Sequence, residues 1–120
     1  MNTLKPRRIL IVEEQKAVAL LLKNMVHDCG YEVVGPAGSI SQALALIDKE
    51  VVDVAIIDVK IKGQPTFAVA EELIRRGTPW AFASGNNADE FIVRYPGVPS
   101  IVKPYTSEHI CGVLGDLLGP

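Results

Sequence analysis

The stretch Val51-Val52-Asp53-Val54-Ala55-Ile56-Ile57-Asp58 decides the fold. Four consecutive apolar residues closed by an acid have the length and continuity of a strand buried on both faces. Three further apolar runs end the same way: Ile9-Leu10-Ile11-Val12 before Glu13-Glu14, Trp80-Ala81-Phe82-Ala83 before Ser84, and Ile101-Val102 before Lys103. As parallel strands of one sheet, these runs place three acids, a hydroxyl and an amine on a single carboxyl edge. Ligand sites of open α/β sheets lie outside that edge.

Amphipathic stretches separate the runs. Residues 15–29 carry Val18, Leu21, Leu22, Met25, Val26 and Cys29 at helical spacing, and Gly30 stops them. Residues 31–37 read as a second strand, broken by Gly35-Pro36, and Ser39-Ile40-Ser41-Gln42 matches a capping box opening a second helix. After Asp58 comes a loop over 59–64, then a helix from Pro65 or Thr66 to Gly77. A fourth strand over 80–84, a short helix over 88–95, a fifth strand over 99–103 and a last helix over 107–118 with Thr106 as N-cap complete the chain. Five βα units with short loops imply parallel pairing. The expected architecture is an α/β doubly wound five-stranded parallel sheet in the flavodoxin-like order 2-1-3-4-5, whose switch point lies between strands 1 and 3, at Glu13, Glu14 and Asp58.

The 120 residues are read as one domain spanning 1–120, with no output domain. A formal net charge of −2 gives no general attraction to nucleic acid or to a membrane surface. The first apolar run is too short for a signal peptide or a membrane span, so a cytoplasmic protein is expected. Cys29 and Cys111, lacking metal-ligand spacing, are read as two free thiols.

Three carboxylates converging at a sheet edge repel one another, so a cation sits among them or a proton is taken up. An all-oxygen donor set favours Mg²⁺, which often completes its shell with phosphate oxygens. Asp58 is then the nucleophile toward phosphorus, with Lys103 supplying positive charge and Ser84 a hydroxyl donor.

Ile-Val-Glu13-Glu14, Ile-Asp58, Ala-Ser84-Gly85 and Val-Lys103-Pro104 together resemble the receiver domain of bacterial two-component response regulators, over essentially the whole chain. The resemblance implies phosphoryl transfer to Asp58 from a sensor histidine kinase or histidine phosphotransfer protein. It implies Mg²⁺ held by Glu14, Asp58 and the backbone carbonyl of Lys60, with Glu13 acting largely through water. Ser84 and Lys103 would contact the phosphoryl group, and Lys103-Pro104 would be a cis peptide. The protein is then a phosphoacceptor that signals by contact or onward phosphotransfer, not an enzyme acting on other substrates. A downstream protein or a second copy would meet the face built from the last two helices and the fifth strand. Phe82-Ala83-Ser84-Gly85 further resembles the single-domain receivers named for a Phe-Ala-Thr-Gly motif.

This chain departs from the usual receiver pattern in several places. Glu14 stands where receivers usually place Asp, Lys62 where most have Pro, and Thr66 where most have Gly. Ser100 takes the place of the switch aromatic, and Asn86 that of the subfamily's tyrosine, leaving Phe91, Tyr95 or Tyr105 to substitute. These departures support an alternative, a degenerate receiver that binds partners without phosphorylation. A flavin or nucleotide binder, or a dehalogenase-like phosphatase, needs a phosphate-cradling turn after the first strand, and Glu13-Glu14-Gln15 does not supply one. Lys60 and Lys62 are otherwise loop charges, Asp53 a surface residue, His27 and His109 helix-end residues, and Trp80, Phe82 and Phe67 core.

Overall fold

The computed structural model describes residues 5–84 and 89–119, with Ser84 described by its backbone alone. Five strands, β1 (Arg8–Val12), β2 (Glu32–Ala37), β3 (Val54–Asp58), β6 (Trp80–Ser84) and β7 (Ser100–Val102), form one parallel sheet in the order β2-β1-β3-β6-β7. A two-residue-per-strand hairpin, β4 (Lys60–Ile61) and β5 (Gln64–Pro65), lies between β3 and α3 (Phe67–Arg75). Without that hairpin the order is the expected 2-1-3-4-5. The remaining helices are α1 (Lys16–Asp28), α2 (Ile40–Lys49), α4 (Asp89–Arg94) and α5 (Ser107–Leu118).

The period of two along each strand divides the core into two layers. Ile9, Ile11, Val54, Ile56, Ala81, Ala83 and Ile101 face Leu22 and Val26 of α1 and Ile110 and Leu114 of α5. Leu10, Val12, Ala55, Ile57, Trp80 and Phe82 face α2, α3 and α4. Burial on both sides is why the strands read as continuous apolar runs.

Gly35-Pro36 does not break β2, contrary to the sequence reading. The strand passes through it by a bulge: Leu10 pairs with Val34, yet Val12 pairs with Ala37. Gly35 has φ +91°, and a Cβ there would meet Ala37 N at 2.8 Å and Ile11 O at 3.2 Å, so the bulge requires glycine. The stretch read as a loop over 59–64 contains the hairpin, turned by Lys62 (φ +52°) and Gly63 (φ +77°); positive φ at both central residues is the geometry of a two-residue hairpin turn. Helix caps follow the sequence more closely. Ser39 Oγ accepts from Gln42 N and Thr106 Oγ1 from His109 N, both at 3.1 Å. Gln42 Oε1 returns to Gly38 N, one residue earlier than a capping box requires.

Cys29 and Cys111 are joined in a disulfide, which corrects the expectation of free thiols. Spacing could not reveal it, because 82 residues separate the pair and only the packing of α1 against α5 brings them together.

At the opposite end of the sheet, Arg8 ties the start of β1 to β2 and to the stretch between α2 and β3. Its backbone N–H donates to Asp53 Oδ2 at 2.7 Å, its Nε to Val51 O at 2.9 Å, and its guanidinium pairs with Glu50 at 2.7 Å and with Glu32. Asp53, read as a surface residue, is thus a partner of the first strand. Solvent screens the ion pairs, since the Arg8 side chain is 29% exposed. Arg8→Ala is expected to lower stability by roughly 1–2 kcal/mol, chiefly through the lost Val51 bond and stem packing, as read by urea denaturation.

Candidate functional site

Glu13, Asp58 and Lys103 meet at the carboxyl edge of the sheet. Lys103 Nζ lies 3.5 Å from Asp58 Oδ2 and 3.7 Å from Glu13 Oε1. Each comes from a different strand end, and local bonds hold each in place. Glu13 N–H donates to Ala37 O at 2.9 Å, extending the pairing of β1 and β2 by one residue. Its Oε2 accepts from Gln15 N at 3.0 Å, so an anionic oxygen meets the amide end of α1, where the helix dipole favours negative charge. Asp58 closes β3 opposite Ala83, and the fully buried Thr66 fixes the chain beyond it. Thr66 Oγ1 donates to Asp58 O at 2.6 Å and Thr66 N to Val59 O at 3.0 Å. Lys103 follows β7 and precedes a cis Lys103-Pro104 bond, as expected, with its ammonium 6.0 Å from the Tyr105 ring centroid.

The side chain of Glu13 is only 2% exposed, and its Oε1 has no hydrogen-bond partner. Burial pushes its pKa above the ordinary 4.5, the nearby charge of Asp58 adds to the rise, and the Gln15 amide and Lys103 oppose it. The folded chain therefore keeps this proton to higher pH than the unfolded chain does. Stability from Glu13 is present at low pH and is lost as pH rises from 4.5 through the raised folded value. Glu13→Gln is expected to be more stable than the wild type by roughly 1 kcal/mol at about pH 8, the difference vanishing below about pH 4, in urea titrations across pH.

Glu14 lies apart from this group. It is exposed, and its Oε1 accepts from Lys62 N at 2.7 Å, joining the β1–α1 loop to the hairpin turn. Lys60 sits exposed in β4 opposite Pro65. Among the described residues, no three His, Cys, Asp or Glu side chains gather closely enough to hold a metal ion. The donor chemistry nevertheless fits a hard cation: a buried carboxylate oxygen without a hydrogen-bond partner, beside a second carboxylate, is a ready acceptor for Mg²⁺ or its water. Glu14 joins such a set only by releasing the Lys62 amide. The Ser84 side chain and Asn86 lie outside the described residues. Tyr105 is one of three aromatics, with Phe91 and Tyr95, among which the sequence did not choose: it is 7% exposed, its hydroxyl has no hydrogen-bond partner, and burial raises its pKa, with the charges of Asp58 and Glu13 adding to the rise.

Comparison with known proteins identifies the family. The family described as the response regulator receiver domain matches residues 9–113. The chain belongs to that family. The receiver is similar in structure to SdrG of Sphingomonas melonis Fr1, with a TM-score of 0.84 and 31% identity over 95% of this chain and 98% of that one. It is 35% identical over 68 residues to the transcriptional regulatory protein PdtaR of Mycobacterium tuberculosis, covering 57% of this chain and 33% of that protein. It is 31% identical over 111 residues to the positive alginate biosynthesis regulatory protein of Pseudomonas aeruginosa, covering 88% of this chain and 45% of that protein. The receiver thus spans less than half the length of these curated relatives.

In this receiver Ser100, where the sequence reading looked for a switch aromatic, is half-buried, and aromatic groups gather around Phe67, Phe91 and Tyr95. Phe91 stacks on Phe67 at 4.7 Å, Tyr95 meets Trp80 edge-on at 5.1 Å, and Phe82 lies 5.6 Å from Phe91. Tyr95 OH donates to Glu71 Oε2 at 2.6 Å, and burial with that carboxylate lifts its pKa to about 12. Together with Arg94 over the Phe67 ring at 4.2 Å, these contacts fasten α4 to α3.

Proposed function

We propose that Asp58 accepts a phosphoryl group from a phosphohistidine on a sensor histidine kinase or histidine phosphotransfer protein. The observation that carries this reading is Lys103 Nζ placed between Asp58 Oδ2 and Glu13 Oε1, at 3.5 and 3.7 Å. A lone acid at a strand end is a cap or a loop residue; an acid with a second carboxylate and an ammonium converging on it forms a charge-compensated site for a group bearing several anionic oxygens.

In the reaction an Asp58 carboxylate oxygen attacks phosphorus, the O–P bond forms, the P–N bond breaks and imidazole leaves. Lys103 offsets charge on the transferred oxygens, and Ser84 donates to one of them. Glu13, Glu14, Asp58 and the Lys60 carbonyl would hold Mg²⁺, which when bound supplies positive charge opposite the phosphoryl oxygens. The product acyl phosphate pulls on Lys103 and the chain after β6, and so biases the face formed by α4, β7 and α5. Ile92, Val93 and Val102 are 52%, 81% and 59% exposed there, an apolar set suited to a downstream protein or a second copy of the chain. The protein acts in the cytoplasm as a phosphoacceptor that signals by contact or onward phosphotransfer, not as an enzyme toward other substrates.

The test is intact mass and peptide mapping after incubation of the wild-type chain with acetyl phosphate, with Mg²⁺ and with a chelator. One phosphoryl mass on the peptide containing Asp58, dependent on Mg²⁺, is expected. A second reading, partner binding without phosphorylation, is favoured by Glu14 held on the Lys62 amide at 2.7 Å. Absence of label under conditions that load an ordinary receiver would put that reading first.

A further inference from the structure

We propose that Cys29 and Cys111 form a reversible redox lock, a disulfide closed by peroxide and opened by dithiols, whose state sets how firmly α5 is held against α1. The inference does not rest on chemistry at Asp58. The two sulfurs are bonded and the Cα atoms are 5.5 Å apart, inside the usual span of about 4.4–6.8 Å for a disulfide, so the backbone already suits the bond. Both residues are half-buried, so neither is sealed inside the core.

The position of the bond gives it leverage. Cys29 caps the C-terminus of α1 and Cys111 lies in the second turn of α5. Without the bond, the helices are joined by side-chain packing of Leu22 and Val26 with Ile110 and Leu114. Helix α5 is a poor helix by composition, because Gly112 and Gly115 sit inside it, and a Cβ at either would touch nothing within 4 Å. The disulfide therefore restrains the helix least able to hold its own conformation. It also closes the chain across 82 residues, from before β2 to beyond β7, and a cross-link over so long a loop restricts the unfolded state strongly.

The chemistry balances with hydrogen peroxide as the oxidant. One thiolate attacks a peroxide oxygen; the S–O bond forms, the O–O bond breaks, and hydroxide leaves as water after protonation. The second thiolate attacks the sulfenic sulfur; the S–S bond forms, the S–O bond breaks and a second water departs. Two thiols are oxidised to one disulfide, and one peroxide is reduced to two waters. A dithiol reverses the change by exchange, becoming a disulfide itself.

The test uses the full chain treated with hydrogen peroxide, then with dithiothreitol, each sample being denatured, alkylated with iodoacetamide and weighed. Oxidised protein is expected as a monomer carrying no alkyl groups, reduced protein with two, and the cycle to repeat. The oxidised form should melt roughly 10 °C higher than the reduced form. Amide exchange at the end of α1 and through α5 should slow in step. The Cys29→Ser/Cys111→Ser variant should melt near reduced wild type under both treatments. Two alkyl groups after peroxide, cross-linked dimers, a disulfide that dithiothreitol fails to open, or equal melting and exchange in the two forms would each overturn the proposal.

Discussion

Asp58→Asn is expected to take up no phosphoryl group from acetyl phosphate in Mg²⁺, while folding at least as stably as the wild type. Loss of uptake follows because an amide oxygen is a far weaker nucleophile toward phosphorus than a carboxylate oxygen. Retention of the fold follows from the bonds around the residue. Thr66 bonds the backbone oxygen of Asp58, so that contact survives the change, and asparagine has nearly the shape of aspartate. The charge of Asp58 is one cause of the raised pKa of the buried Glu13, and removing it relieves that repulsion. The Asn variant should gain roughly 0.5–1 kcal/mol at neutral pH, read by urea denaturation beside the labelling assay. Full labelling of a folded Asn variant would place the phosphoryl group elsewhere. Loss of labelling with loss of fold would refute the stability half alone.

The fold was legible wherever burial is two-sided. Val54 to Ile57 and Ile9 to Val12 must be apolar at every position because helices cover both faces of the sheet, so their strands and parallel pairing could be read directly. Gly35-Pro36 misled because the same pair signals a break in a strand and a bulge within one; the choice depends on the backbone of β1 opposite. The Lys62-Gly63 turn was hidden because two strands of two residues carry no periodicity. The disulfide and the Arg8 network join residues more than 20 positions apart through tertiary packing, to which local pattern is blind. At the candidate site, strand-end logic brought Glu13, Asp58 and Lys103 to one edge, since each immediately closes an apolar run. It did not foresee Glu14 turned to the Lys62 amide, because the extra methylene of glutamate reaches a loop whose conformation the sequence did not disclose.

Lys103→Met should slow labelling of Asp58 by acetyl phosphate about 100-fold, the usual loss when one preorganised electrostatic stabiliser is removed from a phosphoryl or acyl site. Methionine keeps an unbranched stem and removes only the charge, so packing beside Tyr105 is largely preserved. The ammonium has two partners, and its removal has two consequences. Toward the donor, Asp58 and the incoming phosphoryl oxygens lose the positive charge that offsets them. Toward the fold, Glu13 loses a neighbour that holds its pKa down, so its proton is retained to still higher pH. The stability lost relative to wild type should therefore grow as pH rises above 4.5 and fade below it. Lys103→Arg separates the two effects. Arginine keeps the charge beside Glu13 and should restore the pH profile of stability, whereas its planar fork cannot reproduce the compact ammonium at 3.5 Å from Asp58, and labelling should remain well below wild type. A time course of labelling and a urea midpoint across pH, measured on both variants, decide the matter. Wild-type labelling by Lys103→Met would remove Lys103 from the reacting group and leave it as the counter-ion of Glu13.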